Sequence, residues 1–254
     1  MGACASGGCP VAEFLCGIPA WGWWAGAAGL FALWLCRQAW KREHFFASLF
    51  YWTARAVCFA YFRCKFRLRI TGAENIPVRG GAVLCANHTS YLDPPVLGCA
   101  TSRRLVRFMA RSTLAKNKWL DFLYKRLKAI LLDRDRGDLG AMKTAIKCLK
   151  AGDVVGIFPE GTRSPDGTIQ EAKGGIAFLL AKAAVPVVPM HIAGAYQAFP
   201  KGAKKFSPSR ITVTIGKPIP PEEILAAMPQ KGDYAAAGAL VMRRIAGLAP
   251  EKTP

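Results

Sequence analysis

From Phe66 to Gly216, short apolar runs alternate with stretches of helical spacing, and this alternation limits the possible folds more than any other feature. The strand candidates are 66–71, 81–86, 105–110, 129–133, 153–158, 186–192 and 210–216. The helix candidates are 117–127, 139–151, 173–184 and, near the end of the chain, about 232–248. Strands that alternate with helices predict an α/β fold with a largely parallel central sheet flanked by helices.

The first sixty residues depart from this pattern and predict an association with a membrane. Phe14–Cys36 contains no charged residue and four tryptophans, and its 23 residues can cross or dip into a bilayer. A second apolar stretch, residues 45–62, is interrupted only by Arg55. We therefore expect an N-terminal apolar, membrane-associating helical pair over residues 1–62, preceding a globular domain over residues 63–254.

The N-terminal segment allows two other interpretations. A secretory signal peptide is disfavoured because no basic residue precedes the apolar run, the first being Arg37. Glycines and Pro19 within the run leave open whether it spans the bilayer or only dips into it. The basic residues follow the segment, which predicts the cell (inner) membrane as the location, with the larger domain on the cytoplasmic face.

The charge of the chain predicts an anionic partner. The formal net charge is +19, which suits either nucleic acid or an anionic lipid surface. No nucleic-acid recognition motif accompanies the charge, and the apolar N-terminus favours membrane lipid. We therefore expect a lipid partner and no nucleic acid.

The cysteines and histidines predict neither disulfides nor a metal site. Nine cysteines are scattered without a C-x-x-C pair, which is typical of reduced thiols in an intracellular compartment. The three histidines, His44, His88 and His191, are far apart and lack ligand-like neighbours. We expect no metal and no bound cofactor.

A first block of polar residues, Asn87–Asp93, directly follows the apolar run at 82–86. Asp93 could hydrogen-bond His88, fix its tautomer and leave the other ring nitrogen to take a proton from an alcohol. The plainer reading makes His88 a core residue and Asp93 a helix cap. A third reading makes Ser90 a nucleophile; we prefer a capping role, because two-residue spacing rarely lets a serine meet its base.

A second block, Glu160–Arg163, follows the apolar run at 154–158. Gly161 permits a tight turn, Arg163 supplies a forked donor suited to phosphate oxygens, and Thr162 adds a hydroxyl. Glu160 can orient Arg163 or hydrogen-bond a substrate hydroxyl. The alternative is an ordinary turn at a strand end with a surface ion pair.

Two further stretches are less specific. Arg134, after the strand candidate at 129–133, could reach the same phosphate, although Asp133 and Asp135 nearby suggest solvated ion pairs. The run at 185–190 is an apolar strand between prolines, which could line an acyl channel or simply belong to the core.

Together these blocks resemble the glycerophospholipid acyltransferase family, and within it the 1-acylglycerol-3-phosphate acyltransferases. The matching residues occur in family order over roughly residues 66–220: Asn87–Asp93, Leu132–Arg134, Phe158–Ser164 and Val185–Pro189. One departure is Arg111, where many relatives carry a lysine. The N-terminal apolar pair also looks like the membrane-associating helices of bacterial members.

The resemblance implies an acyltransferase catalytic domain over residues 63–254. It implies His88 as general base with Asp93 as its partner, and a substrate-phosphate site. The implied phosphate-site residues are Glu160, Gly161, Thr162, Arg163 and, as a helper, Arg134.

The reaction implied is transfer of a fatty acyl group to the hydroxyl of lysophosphatidic acid, giving phosphatidic acid. The acyl group would come from acyl-CoA or acyl-carrier protein, which are co-substrates. Two alternatives stay open: another lysophospholipid as acceptor, or a non-catalytic protein that binds anionic lipid. The intact pair of His88 and Asp93 argues against the second.

Overall fold

The fold is an α/β sandwich with one seven-stranded sheet. The computed structural model of the chain describes residues 48–113, 117–132, 139–228, 230 and 234–250. The strands are β1 Arg69–Thr71, β2 Ala82–Ala86, β3 Val106–Arg111, β4 Ile130–Leu132, β5 Val154–Ile157, β6 Val187–Ala193 and β7 Thr212–Ile215. The helices are α1 (residues 48–65), α2 Asp93–Ala100, α3 Lys118–Arg126, α4 Leu139–Lys150, α5 Gly174–Ala183, α6 Ala195–Ala198, α7 Pro221–Ala226 and α8 Tyr234–Ala246. All seven predicted strands are confirmed, as are the four helices predicted at 117–127, 139–151, 173–184 and 232–248, whereas the N-terminal helical pair stays a prediction.

The sheet is mostly parallel and runs in the order β1-β7-β6-β2-β5-β3-β4. β2 lies between β5 and β6 and is parallel to both, with Cys85 opposite Ile157 and opposite Pro189. Every residue of β2 is buried, as expected for a central strand covered on both faces. β6 and β7 form the antiparallel pair. Because β2 and β5 end side by side, the two polar blocks that follow them meet at one edge of the sheet.

Two apolar cores cover the two faces of the sheet, and alternate residues of β2 point into each. Leu84 faces the first core, which contains Phe62 of α1 and Leu97 of α2. Cys85 faces the second, which contains Leu149 of α4. α5, α7 and α8 complete this second layer.

β5 contains a glycine because its neighbour needs the space. A Cβ at Gly156 would lie 2.9 Å from the Phe108 ring and 2.9 Å from Val106 Cγ1, both on the adjacent strand β3. Any side chain here would push β3 away from β5 and disturb the edge at which the site forms.

The chain divides into two compact units, Met1–Leu49 and Phe50–Pro254. Residues 50–62, predicted to associate with the membrane, therefore belong to the larger unit. Tyr51 and Phe62 are buried, and the Tyr51 hydroxyl accepts a hydrogen bond from Val106 N. Arg55, which interrupts the apolar stretch, donates to the carbonyls of Cys99 and Thr101 at the end of α2. Its guanidinium thereby satisfies helix carbonyls that otherwise lack a partner.

Among the described residues, no helix combines the length and the apolar character that crossing a bilayer requires. The predicted membrane segment Phe14–Cys36 lies outside the described residues, as does Arg134.

Candidate active site

The turn after β2 is anchored by Asn87. Its side-chain oxygen accepts from Ile192 N at 2.7 Å, and its amide nitrogen donates to Ile192 O at 3.0 Å. This two-way contact replaces a rung of the sheet between β2 and β6. The turn that carries His88 therefore leaves the sheet from a fixed point.

Asp93 organises the rest of this turn. One of its carboxylate oxygens, Oδ2, accepts from Thr89 N at 2.6 Å and from Ser90 N at 2.7 Å, and it lies 2.9 Å from His88 Nδ1. Asp93 is fully buried at the start of α2. A carboxylate oxygen only accepts, so Nδ1 carries the proton and Nε2 is left as the acceptor nitrogen. Asp93 thus holds the turn and orients His88, as in the first predicted reading. The plainer reading is wrong, because the N-cap of α2 is Leu92, no side chain caps this helix, and His88 is only partly buried.

Ser90 takes part in the turn rather than in a nucleophilic pair. Its hydroxyl donates to Phe199 O at 2.7 Å and accepts from Leu92 N at 3.1 Å. The residue preceding α2 is Leu92, so Ser90 braces the turn without being the helix N-cap itself.

The second block packs directly against His88. The Phe158 ring stacks on the imidazole with 4.2 Å between centroids and 22° between planes. His88 O accepts from Ser164 N at 2.8 Å. Gly161 adopts a φ of +68°, and its N–H closes the predicted tight turn onto Phe158 O. The imidazole is thereby fixed on one side by Asp93 and on one face by Phe158.

Glu160 links the two blocks. It is 2% exposed, and its Oε1 accepts from the backbone N–H of His88 at 2.8 Å. Burial raises the pKa of Glu160 to about 7, and the nearby Asp93 adds to the rise, whereas backbone N–H groups of His88 and Gln170 oppose it. Glu160 therefore lies beneath the site and acts on it through the backbone of His88, a contact that the sequence did not indicate.

The pKa of Glu160 predicts a change of stability with pH. Because burial raises this pKa from 4.5 to about 7, its contribution to folding is fully present below 4.5 and is lost as pH rises through 7. Glu160→Gln keeps an oxygen for His88 N–H and does not titrate. The stability of the wild type relative to this variant should fall by about 3 kcal/mol across that window. Urea unfolding of both proteins between pH 5 and pH 8 measures it; parallel profiles would refute the assignment.

Arg163 occupies the mouth of the site. Its Cζ lies 3.4 Å from the centroid of the Tyr91 ring, a cation–π contact between the two blocks. Its Nη1 is buried, with no hydrogen-bond partner among the described residues. Thr162, next to it, is exposed. A buried guanidinium N–H without an acceptor suits a bound anion.

The loop after Arg163 is ordered by Asp166. Its carboxylate accepts from the Thr168 hydroxyl at 2.7 Å, the Thr168 N–H at 3.0 Å and the Ser164 hydroxyl at 2.8 Å. These hydrogen bonds, those from Thr168 first, lower the pKa of Asp166 to about 2. The Tyr196 hydroxyl also donates to Pro165 O, which ties the loop to α6.

The structure therefore brings together six of the seven predicted site residues, His88, Asp93 and 160–163, at one edge of the sheet. Arg134 lies outside the described residues, as does the side chain of Arg111. Sequence reasoning gave no role to the ring of Tyr91, in the first block, or to that of Phe158, which ends the apolar run before the second. Both rings contact residues about seventy positions away, and no local pattern signals such contacts.

An imidazole held by a carboxylate, beside a turn that presents a guanidinium, suits general-base chemistry on a phosphorylated alcohol. The family model described as Acyltransferase matches residues 67–193. The chain belongs to the acyltransferase family.

Two relatives of this chain are named as 1-acyl-sn-glycerol-3-phosphate acyltransferases. The 1-acyl-sn-glycerol-3-phosphate acyltransferase of Bacillus subtilis is 31% identical over 171 residues, which is 64% of this chain and 83% of that protein. The chloroplastic enzyme LPAT1 of Arabidopsis thaliana is 29% identical over 183 residues, 70% of this chain and 49% of that protein. The chain thus spans about half the length of the plant relative.

A solved structure has the same architecture. The crystal structure of the 1-acyl-sn-glycerophosphate (LPA) acyltransferase PlsC from Thermotoga maritima superposes with a TM-score of 0.66 at 26% identity. The match covers 91% of each chain.

Proposed function

We propose that this protein transfers a fatty acyl group from a thioester to the sn-2 hydroxyl of 1-acylglycerol-3-phosphate, giving phosphatidic acid for phospholipid synthesis. The observation that carries the proposal is the meeting of an oriented base, His88, and a covered cation, Arg163, at one sheet edge. The names of the relatives indicate 1-acylglycerol-3-phosphate as the acceptor.

His88 acts as general base in the transfer. Its Nε2 takes the proton of the acceptor hydroxyl while the hydroxyl oxygen attacks the thioester carbonyl. The C–S bond then breaks, and the departing thiolate takes the proton back from the imidazolium, so the enzyme ends unchanged. Asp93 stabilises the imidazolium between these steps. Because the Ser90 hydroxyl is bonded to Phe199 O, the attack is direct and passes through no acyl-serine.

The assay that tests this function uses purified full-length protein with lysophosphatidic acid and either acyl-CoA or acyl-carrier protein as donor. Formation of phosphatidic acid is the expected result, with no cofactor beyond the thioester co-substrate. A lysophospholipid with a larger head group, such as lysophosphatidylcholine, is the comparison acceptor. Faster acylation of that comparison acceptor would mean that it, and not lysophosphatidic acid, is the substrate.

The acceptor phosphate binds at Arg163, with Glu160, Gly161 and Thr162 shaping the turn and Arg134 as a helper. The support is the buried, unpartnered Nη1 of Arg163 beside the left-handed turn at Gly161. Nη1 of Arg163 has no acceptor among the described residues, and a bound phosphate would supply one.

Arg163→Lys keeps the charge at this turn but loses the fork. We expect the KM for lysophosphatidic acid to rise about tenfold or more while the KM for the donor changes little. The control is Lys143→Gln, which removes a charge from the exposed face of α4. Equal effects of the two changes on the acceptor KM would mean that the turn holds no dedicated phosphate site.

The protein acts at the inner membrane, with the acyltransferase domain on the cytoplasmic face. Its support is the uncharged segment Phe14–Cys36, the net charge of +19 and the lipid nature of acceptor and product. Full-length protein should sediment with membranes in 1 M salt and need detergent for release, since salt at this concentration, where the Debye length is about 3 Å, screens charges but not apolar contacts. Recovery of the protein in the soluble fraction at low salt would refute the proposed association with the membrane.

A further inference from the structure

The ring of Tyr91 covers the guanidinium of Arg163 at a distance shorter than any other cation–π contact found among the described residues. Cζ of Arg163 lies 3.4 Å from the ring centroid, whereas Arg126 lies 5.1 Å from the Phe122 ring and Arg55 5.9 Å from the Trp52 ring. The guanidinium carbon is therefore in van der Waals contact with the face of the ring. Tyr91 is itself 57% exposed, so core packing does not account for its position.

The backbone on both sides of Tyr91 is fixed. Ser90 N–H donates to Asp93 and Ser90 Oγ donates to Phe199 O, while Leu92 N–H donates to Ser90 Oγ. The Phe199 ring lies 6.3 Å from the Tyr91 ring. A ring on such a braced turn is a fixed surface on which a long, flexible side chain can settle.

A stacked ring constrains an arginine in a particular way. It occupies one face of the guanidinium and leaves the N–H groups, which lie in the plane, able to donate. Those N–H groups form the fork that matches two phosphate oxygens. Nη1 of Arg163 is buried and has no hydrogen-bond partner within the described part of the chain, so the stacked arrangement leaves a donor in need of an acceptor.

We propose that Tyr91 is a positioning residue that holds the guanidinium plane of Arg163 for the phosphate monoester of the acceptor. The proposal rests on the proposed function and deepens it. His88 and Tyr91 belong to one turn that Asp93 holds together, so the base and the platform of the cation keep a constant separation. In the proposed acceptor, the reacting hydroxyl and the phosphate are carried by neighbouring carbons of one glycerol unit.

Three variants test whether the aromatic face of Tyr91 is needed, rather than its hydroxyl or any exposed ring. Tyr91→Leu removes the aromatic face, Tyr91→Phe keeps it, and Phe122→Leu removes a comparably exposed aromatic ring that contacts Arg126. Affinity for sn-glycerol 3-phosphate, a soluble phosphate monoester, is measured by calorimetry, and acceptor KM and kcat are measured with lysophosphatidic acid in mixed micelles.

For Tyr91→Leu we expect affinity for sn-glycerol 3-phosphate to fall and acceptor KM to rise about three- to tenfold, with kcat within twofold of wild type. Tyr91→Phe and Phe122→Leu should stay within twofold of wild type on every measurement. In an Arg163→Ala background, Tyr91→Leu should cause no further change, because the ring acts through the cation.

Three results would overturn the proposal: unchanged phosphate affinity in Tyr91→Leu, a loss in Tyr91→Phe equal to that in Tyr91→Leu, or an undiminished effect without Arg163. The calorimetric measurement needs no turnover. A wild type that binds sn-glycerol 3-phosphate but does not acylate lysophosphatidic acid would refute the proposed function while the role of Tyr91 is still decided by the variants.

Discussion

His88→Ala is expected to lower the rate of acyl transfer by about 10²–10⁴-fold, because it removes the group that takes the proton from the attacking hydroxyl. The loss should fall on kcat. The backbone N–H and C=O of residue 88, which bond Glu160 and Ser164, are retained in alanine. The turn should therefore keep its shape, and affinity for the acceptor phosphate should change little.

The matched control for this variant is His191→Gln. His191 is buried in β6, and burial lowers its pKa, so it is a neutral structural histidine that the proposed chemistry does not use. Transfer is measured for both variants below their unfolding temperatures. Turnover of His88→Ala close to that of wild type, or an equal loss in His191→Gln, would remove His88 from the mechanism.

The positions of the strands and helices were predictable because the hydrophobic pattern is local. A run such as Ala82–Ala86 is fully apolar because both faces of a central strand are covered. α2 and α7 were not among the helix candidates, although the reading of Asp93 as a helix cap implied a helix after it. Both helices have a proline in the first turn, where it costs no hydrogen bond, so Pro94 and Pro221 mark helix starts. The antiparallel pairing of β6 with β7 joins strands about twenty residues apart, and no local pattern encodes it.

The site was predictable to the extent that its residues follow strands. His88, Asp93 and Arg163 were identified because chemical groups at strand ends meet in a parallel sheet. The contacts between the two blocks were not predictable. Glu160 contacts the backbone of His88, and Arg163 contacts Tyr91, across about seventy residues of sequence. Such contacts depend on which strands are neighbours. A phosphate role for Glu160 is still a prediction, and the structure adds its bond to His88.

Asp93→Asn is expected to lower transfer by about 10³–10⁴-fold while the turn keeps its conformation. All three contacts of Asp93, from Thr89 N, Ser90 N and His88 Nδ1, go to Oδ2. The asparagine oxygen should occupy that position and keep accepting from them. What is lost is the negative charge that stabilises the imidazolium formed when His88 takes its proton. Turnover and acceptor KM measure the effect, and the KM should stay close to that of wild type.

Asp93→Asn should also lower the stability of the protein, an effect that is not expected for His88→Ala. Oδ1 of Asp93 is buried with no hydrogen-bond partner among the described residues, so the asparagine NH₂ would be placed there unsatisfied, at about 1–3 kcal/mol. Asp153→Asn is the control, since Asp153 forms a partly exposed ion pair with Arg107 at the opposite end of β5. In a His88→Ala background, Asp93→Asn should lower turnover little further yet still destabilise the protein. A full additional loss of turnover there would show that Asp93 acts independently of His88.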